Sequence, residues 1–419
     1  MNRNAGKKWL ALLLAMVMVL ALCVGCGPGE ETEEGGGGGE TSSDTIKIGF
    51  VGPLTGDAAA WGIAQLKAIQ IRVDKCNQDG GLLGKQVELF YYDNREDAVE
   101  TVNAARKLIE NDGVVAILGP NNSICAQAMS SVCDDYKVPM IATNTPLEQI
   151  TLDDDGNVRP YVFRAIMIQR AYVAPLCNYL YNDLGIRTAA IFYALSVDTY
   201  VTFAQQFRAE WEALGGTVVA EETTASVDDV DFRAQLTKII ETDPEIIVSP
   251  MTYKQIILMG QQARELGYEG MFGGCDTWYQ VSIPVEAGPQ LEGCIAIASL
   301  DINSEKLIPI QEEWLEYWGE DQTLRDGGTD PYYGYDAWKM LEAAINDAGA
   351  ADSDSIRDAL ENITDVEGCV GLLSMDPETH NPDRELALVT IAPNEDGSDG
   401  YYYKTLGTIY GGEITLFDE

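Results

Sequence analysis

Histidine is all but missing from this chain of 419 residues, which carries one, His380. That excludes a histidine metal cluster and a His-based catalytic triad. Positive charge is also scarce: 27 Lys and Arg stand against 67 Asp and Glu, for a net charge of −40. Such a deficit argues against nucleic acid as a partner and against docking on an anionic bilayer. No GxGxxG follows the first apolar strand and no GxxxxGK[ST] occurs, so dinucleotide and P-loop sites lack their motifs. The apolar run from Trp9 to Val24 is too short and wrongly flanked for a stable transmembrane span. Carboxylate pairs abound in so acidic a chain and single out no catalytic residue. Neither an enzyme, a metal nor a cofactor is expected.

What the N-terminus does hold is a secretory signal. Arg3, Lys7 and Lys8 precede the apolar run, which ends in Leu22-Cys23-Val24-Gly25-Cys26. That ending resembles the bacterial lipobox, in which a small residue precedes a cysteine that is diacylated and becomes the mature N-terminus. Residues 1–25 are therefore expected to leave and Cys26 to carry lipid on the extracytoplasmic face of the cell membrane. An ordinary cleaved signal with an incidental cysteine is the alternative. Residues 26–44 are rich in Gly, Glu, Ser and Thr, with glycine throughout Gly35 to Gly39, and read as a flexible tether. Loss of the three basic residues takes the net charge from −40 to −43. Of nine cysteines, seven remain beyond Cys26, an odd number with no CxxC among them, so neither a zinc pattern nor a disulfide framework is indicated.

The remaining about 375 residues exceed one ordinary core, which makes two lobes the prior. From Ile46 short apolar strands alternate with amphipathic stretches. Ile46 to Val51, Val87 to Tyr92, Val114 to Leu118 and Val138 to Ala142 read as strands. The rhythm restarts after Phe163, with strands at Thr188 to Tyr193, Thr217 to Glu221, Ile246 to Ser249 and Met271 to Gly273. Alternating β and α with Val, Ile and Leu runs predicts an α/β fold: two doubly wound parallel sheets in series. Gly293 to Ala298 reads as a further buried strand, and the C-terminal part as short strands with turns.

Ligands of parallel α/β sheets bind at the carboxyl ends of strands. After the first strand come Gly52-Pro53-Leu54-Thr55-Gly56 and Trp61-Gly62; after the third, Gly119-Pro120-Asn121-Asn122-Ser123; after the fourth, Ala142-Thr143-Asn144-Thr145-Pro146. These loops place hydroxyls and amides before helices, where free N–H groups and the positive helix end favour an anion such as a carboxylate. N-capping alone explains any one of them; two neighbouring strand ends together favour a site.

The same blocks carry a resemblance. The chain is similar to the leucine/isoleucine/valine-binding family of ABC transporter substrate-binding proteins, of the periplasmic binding protein type I fold, from Ile46 to about Asn394. Ile46-Lys47-Ile48-Gly49-Phe50-Val51-Gly52-Pro53-Leu54-Thr55-Gly56, Asn77-Gln78-Asp79-Gly80-Gly81-Leu82-Leu83-Gly84, Val138-Pro139-Met140-Ile141 and Gly334-Tyr335-Asp336-Ala337 are its most specific stretches. The resemblance implies two lobes joined by a three-strand hinge, closing on the ligand: 45–163 with 293–362, and 164–292 with 363–419. It implies that Ser123 and the loop Thr143, Asn144, Thr145 hold a ligand carboxylate, and that Trp61 lines the mouth. From the second lobe it implies Tyr200, with Tyr193 as rival, and Tyr253 as a further wall. For the ligand ammonium the family places an acid after Met271 to Gly273; without a gap Cys275 falls there, and a one-residue shift brings Asp276. The disulfide of some members lacks both cysteines here.

What the resemblance implies for function is capture of an amino acid or amino-acid-like molecule, a branched-chain amino acid first, for an ABC permease and ATPase, by a monomer. An extracellular ligand-sensing lipoprotein, or a binder of an amide, urea or aromatic acid, are the alternatives.

Overall fold

The computed structural model describes residues 45–56, 58–153, 155–280, 282–320 and 327–417. The expected signal segment 1–25, the tether 26–44 and Cys26 lie outside them.

Strand and helix alternate through the first lobe: β1 (Thr45–Gly52), α1 (Ala59–Gln78), β2 (Gln86–Asp93), α2 (Ala98–Lys107), β3 (Ala116–Leu118), α3 (Ser123–Tyr136), β4 (Met140–Ala142) and β5 (Val162–Arg164). The sheet runs β2-β1-β3-β4-β5, with every neighbouring pair parallel. Ala-Ile-Leu in β3 and Met-Ile-Ala in β4 are buried at every residue, as central strands covered on both faces must be. Helix starts are satisfied locally. The Asp97 carboxylate accepts from the N–H groups of Val99 and Glu100, and Asn122 Oδ1 accepts from Cys125 N at 2.8 Å.

The second lobe follows with α4 (Arg170–Asn178), β6 (Thr188–Ala194), α5 (Asp198–Leu214), β7 (Thr217–Thr224), α6 (Arg233–Ile240), β8 (Ile246–Val248), α7 (Tyr253–Glu265), β9 (Met271–Gly274), α8 (Ser282–Leu291) and β10 (Ile295–Ala298). The chain then returns to the first lobe with α9 (Ile308–Trp318), α10 (Asp330–Ala348), α11 (Ser353–Leu360), β11 (Val366–Glu367), β12 (Leu372–Met375) and β13 (Pro382–Arg384). It ends in the second lobe as β14 (Leu386–Pro393), β15 (Tyr401–Tyr410) and β16 (Glu413–Leu416). The second sheet runs β16-β15-β14-β10-β9-β8-β6-β7, parallel from β7 to β10 and antiparallel beyond. Between the two sheets the chain crosses three times, through 165–169, 299–307 and Glu385.

Two expected boundaries move. The resemblance places residues from Gly293 in the first lobe, but Ala296 pairs with Gly274 of β9 and with Val389 of β14, which puts β10 in the second sheet. It places residues from 363 in the second lobe, yet Ile363, Leu373 and Met375 pack into the first-lobe core with Trp338 and Leu341. Return to the second sheet begins only at β14.

Two glycines explain blocks that the resemblance rested on. At Gly62 a Cβ would stand 2.0 Å from the Pro53 carbonyl oxygen, so only glycine lets α1 lie against the loop after β1. At Gly334 a Cβ would stand 2.7 Å from the Gln65 carbonyl oxygen, so α10 and α1 meet backbone to backbone. That contact brings the first turn of α10, with Asp330, onto Gln65.

The seven cysteines of the described residues are buried, unpaired thiols. His380 is buried, with Nδ1 3.0 Å from the Val162 carbonyl oxygen and its ring stacked on Phe163. Its place is within the first-lobe frame.

Candidate ligand site

The strand ends of both sheets face a cavity of about 110 Å³. The first lobe contributes Asn144 and Pro146 from the loop after β4, and the first crossing contributes Ile166 and Gln169. From the second lobe come Tyr172 on α4, Thr199, Tyr200 and Phe203 at the start of α5, Pro250 after β8, and Cys275, Asp276 and Thr277 after β9. Two tyrosines, a phenylalanine, an isoleucine and two prolines make most of this wall apolar, with a few polar groups set into it, the usual composition of a small-molecule site. No Lys, Arg or His lines it.

Asp276 is the one ionisable carboxylate in the wall. Its Oδ1 accepts from Ser299 N at 3.0 Å, which ties the β9 loop to the second crossing. Cys275 lines the cavity beside it. Burial, with lesser contributions from Cys177 and Asp276, pushes the Cys275 thiol far above its usual range, so it is neutral and supplies no thiolate.

Behind Asn144 lies a polar cluster that the first lobe keeps from water. Thr143 Oγ1 donates to Gln65 Oε1 at 2.7 Å, which turns the Gln65 amide so that its Nε2 donates to Asp330 Oδ1. Asn144 Nδ2 reaches the same Asp330 oxygen at 3.5 Å. Burial pushes the Asp330 carboxyl up to about 7; the donor amides of Gln65, Asn144 and Asn121 pull against that, and the Asp276 charge adds to it.

The expected site residues therefore separate. Asn144, Tyr200 and Asp276 meet in one cavity. Thr143 and Thr145, both fully buried, flank Asn144 without lining it; the Thr145 carbonyl accepts from Arg164 Nη1 at 2.9 Å. Ser123 opens α3 and stands outside the lining, as do Trp61 and Tyr253, which are 47% and 38% exposed. Burial raises the Tyr200 phenol. Its rival Tyr193 donates to Glu221 Oε1 at 2.9 Å and does not line the cavity.

Tyr172, Phe203, Gln169, Gln65 and Asp330 were not singled out from the sequence. Tyr172 and Phe203 sit within the first two turns of their helices, where an aromatic reads as core. Asp330 precedes Pro331 at a helix start, which reads as ordinary helix initiation.

Among the described residues no group of His, Cys, Asp and Glu is placed to hold a metal ion, and no helix is long and apolar enough to cross a membrane.

The sequence profile of the periplasmic binding protein family matches residues 45–398. The leucine-, isoleucine-, valine-, threonine- and alanine-binding protein of Pseudomonas aeruginosa is 24% identical over 324 residues, covering 76% of this chain and 83% of that protein. A crystal structure of the branched-chain amino acid transporter substrate-binding protein of Streptococcus pneumoniae, in complex with isoleucine, superposes with a TM-score of 0.67 at 26% identity, covering 86% of this chain and 99% of that one. A solute-binding protein of an ABC transporter from Rhodopseudomonas palustris, in complex with 3,4-dihydroxybenzoic acid, gives 0.70 at 20% identity over 88% and 98% of the two chains; at that identity the likeness is one of fold.

Proposed function

The chain belongs to the periplasmic binding protein family, and from that premise we propose that it captures an amino acid or a close analogue, a branched-chain amino acid first, between its lobes for an ABC importer. One observation carries this reading: both lobes line a small, mostly apolar cavity whose single ionisable carboxylate is Asp276. A half-buried carboxylate in such a wall, with only the Ser299 N–H donating to one of its oxygens, favours a positive group on the ligand. An α-ammonium meets that need, while Tyr172, Tyr200, Phe203 and Ile166 suit a hydrocarbon side chain. The ligand carboxylate then falls toward the first lobe, where Ser123, at the N-terminus of α3 and outside the cavity lining, reaches it as the lobes close. A plain aromatic acid fits less well, since it would bring a second negative charge to Asp276.

Closure supplies the mechanism. A ligand that touches both lobes binds the closed form better than the open one, and only that difference shifts the equilibrium. Trp61 and Tyr253, exposed on opposite lobes, become contacts as the mouth narrows. Cys26 holds the protein at the extracytoplasmic membrane face by its lipid, and the tether lets the monomer reach the permease and its ATPase. A sensing lipoprotein that hands ligand to a receptor is the second reading, and a permease-and-ATPase gene cluster beside this gene would decide against it.

Native mass spectrometry of the protein as purified, followed by calorimetry with the twenty amino acids and with benzoates, tests the proposal. A retained α-amino acid that binds reversibly and leaves unchanged supports it. Binding of benzoates alone, or chemical conversion of the ligand, would overturn it.

A further inference from the structure

One residue of the cavity wall carries a polar group that the protein itself does not use. Tyr172, near the start of α4, lines the cavity and is only 4% exposed. Its hydroxyl has no hydrogen-bond partner among the described residues, whereas buried phenols are ordinarily paired. Other buried tyrosines follow that rule: Tyr333 bonds Ser299 Oγ, and Tyr279 donates to Asp301 Oδ1 at 2.8 Å. Tyr200, the second tyrosine of the wall, is only partly buried, so water can serve its hydroxyl. The two also differ in surroundings. Burial alone raises the Tyr200 phenol, whereas Tyr172 is pushed far above its usual range by burial and then by the Asp276 charge. Tyr172 therefore stands neutral within reach of the Asp276 field without bonding to it, and Asp276 receives only the Ser299 N–H.

We propose that the Tyr172 hydroxyl is a ligand contact: it accepts an N–H from the same ammonium that pairs with Asp276, and so selects for an amine. The inference rests on the cavity being the ligand site, and it deepens that reading by giving the ammonium a second partner. An ammonium has three N–H groups, more than one carboxylate oxygen takes up, and a neutral phenol keeps lone pairs for another. A hydrocarbon at this point would leave hydroxyl and carboxylate both unsatisfied. A ligand carboxylate there would set a second negative charge against Asp276. The Tyr172 ring still serves as apolar wall for a branched side chain, with only its tip given to the amine. An unpaired buried hydroxyl costs stability in the free protein, so a bound ligand accounts for it better than the fold does.

Tyr172→Phe removes the hydroxyl and keeps the ring. Calorimetry on ligand-stripped wild type and variant, with leucine, 3-methylbutylamine (leucine without its carboxylate) and 4-methylpentanoate (leucine without its amine), tests the proposal. The variant should bind leucine and 3-methylbutylamine about tenfold more weakly and 4-methylpentanoate as the wild type does. Thermal unfolding of the ligand-free variant should come no lower than that of the wild type, a pattern that a structural role would not give. An equal loss for 4-methylpentanoate, or a lowered unfolding midpoint with the same loss for every ligand, would overturn the contact and leave the amino-acid reading standing. Unchanged leucine affinity would do the same. A wild type that binds 4-methylpentanoate but neither amine, or that binds none of the three, would overturn both.

Discussion

Arg384 Nη2 lies 2.8 Å from Asp336 Oδ2 in a salt bridge that is at most 1% exposed on either side. The same guanidinium donates to the Ala165 carbonyl at 3.2 Å, and Asp336 Oδ1 accepts from Cys369 N at 2.7 Å. One ion pair thus fastens the first and third crossings to α10. Arg384→Met strands a buried carboxylate and should cost about 3–5 kcal/mol in urea unfolding. Arg384→Met with Asp336→Leu should cost less than the single change, because no charge is then left uncompensated. Equal or additive losses would show that the pair does not act as a unit.

Asp276→Asn keeps shape and removes charge. An amine-bearing ligand should lose roughly ten- to a hundredfold in affinity, the worth of about 1.5–3 kcal/mol for a charged hydrogen bond. An uncharged analogue should lose little, and calorimetry with both separates charge pairing from a change in cavity shape.

Neighbouring residues at the start of α3 should divide stability from binding. Asn122 caps the helix, so Asn122→Ala should lower stability by about 1 kcal/mol. Ser123→Ala should leave the unfolding midpoint alone yet weaken a carboxylate ligand by about tenfold, because closure brings this helix end onto the ligand. Unchanged calorimetric affinity would remove Ser123 from the site.

Asp330 makes ligand-free stability depend on pH in a stated direction. Its folded pKa, about 7, lies above the ordinary 3.8, so the folded state holds the proton more tightly than the unfolded one. The stabilisation is complete below about pH 4 and is lost as pH rises through about 7, a few kcal/mol at most. Asp330→Asn should flatten that part of the profile. Thermal unfolding of both proteins from pH 5 to 8 measures it, and parallel curves would rule the contribution out.

Closure depends on second-lobe contacts. Small-angle scattering of the wild type should show compaction on saturation with ligand. Tyr200→Ala combined with Tyr253→Ala should reduce that compaction even at saturation, because a ligand lacking second-lobe contacts has less to gain from the closed form. A wild type that stays equally extended when saturated would refute the clamshell account.

Much of the frame is legible in the residues. The strand at Met140–Ala142 reads directly, because a parallel strand covered on both faces must be apolar throughout. Likewise the loops holding Asn144 and Asp276 follow from the rule that α/β ligands gather at strand ends. The strand at Ile295–Ala298 reads as buried too, yet it belongs to the second sheet and not to the first lobe that the resemblance implies. Four apolar residues state that a segment is covered and say nothing about which sheet covers it.

Local pattern alone therefore determined the strand and helix rhythm, the two-lobe expectation and the loops where a ligand could lie, since each depends on periodicity and residue type within a short window. Tertiary structure decided the rest. Asp330 is an ordinary acid at a helix start until Gly334 lets α10 approach Gln65 across 265 positions of sequence. Only then does its carboxyl lose water and gather three amides, and burial turns a helix-start residue into the centre of a polar cluster behind the cavity.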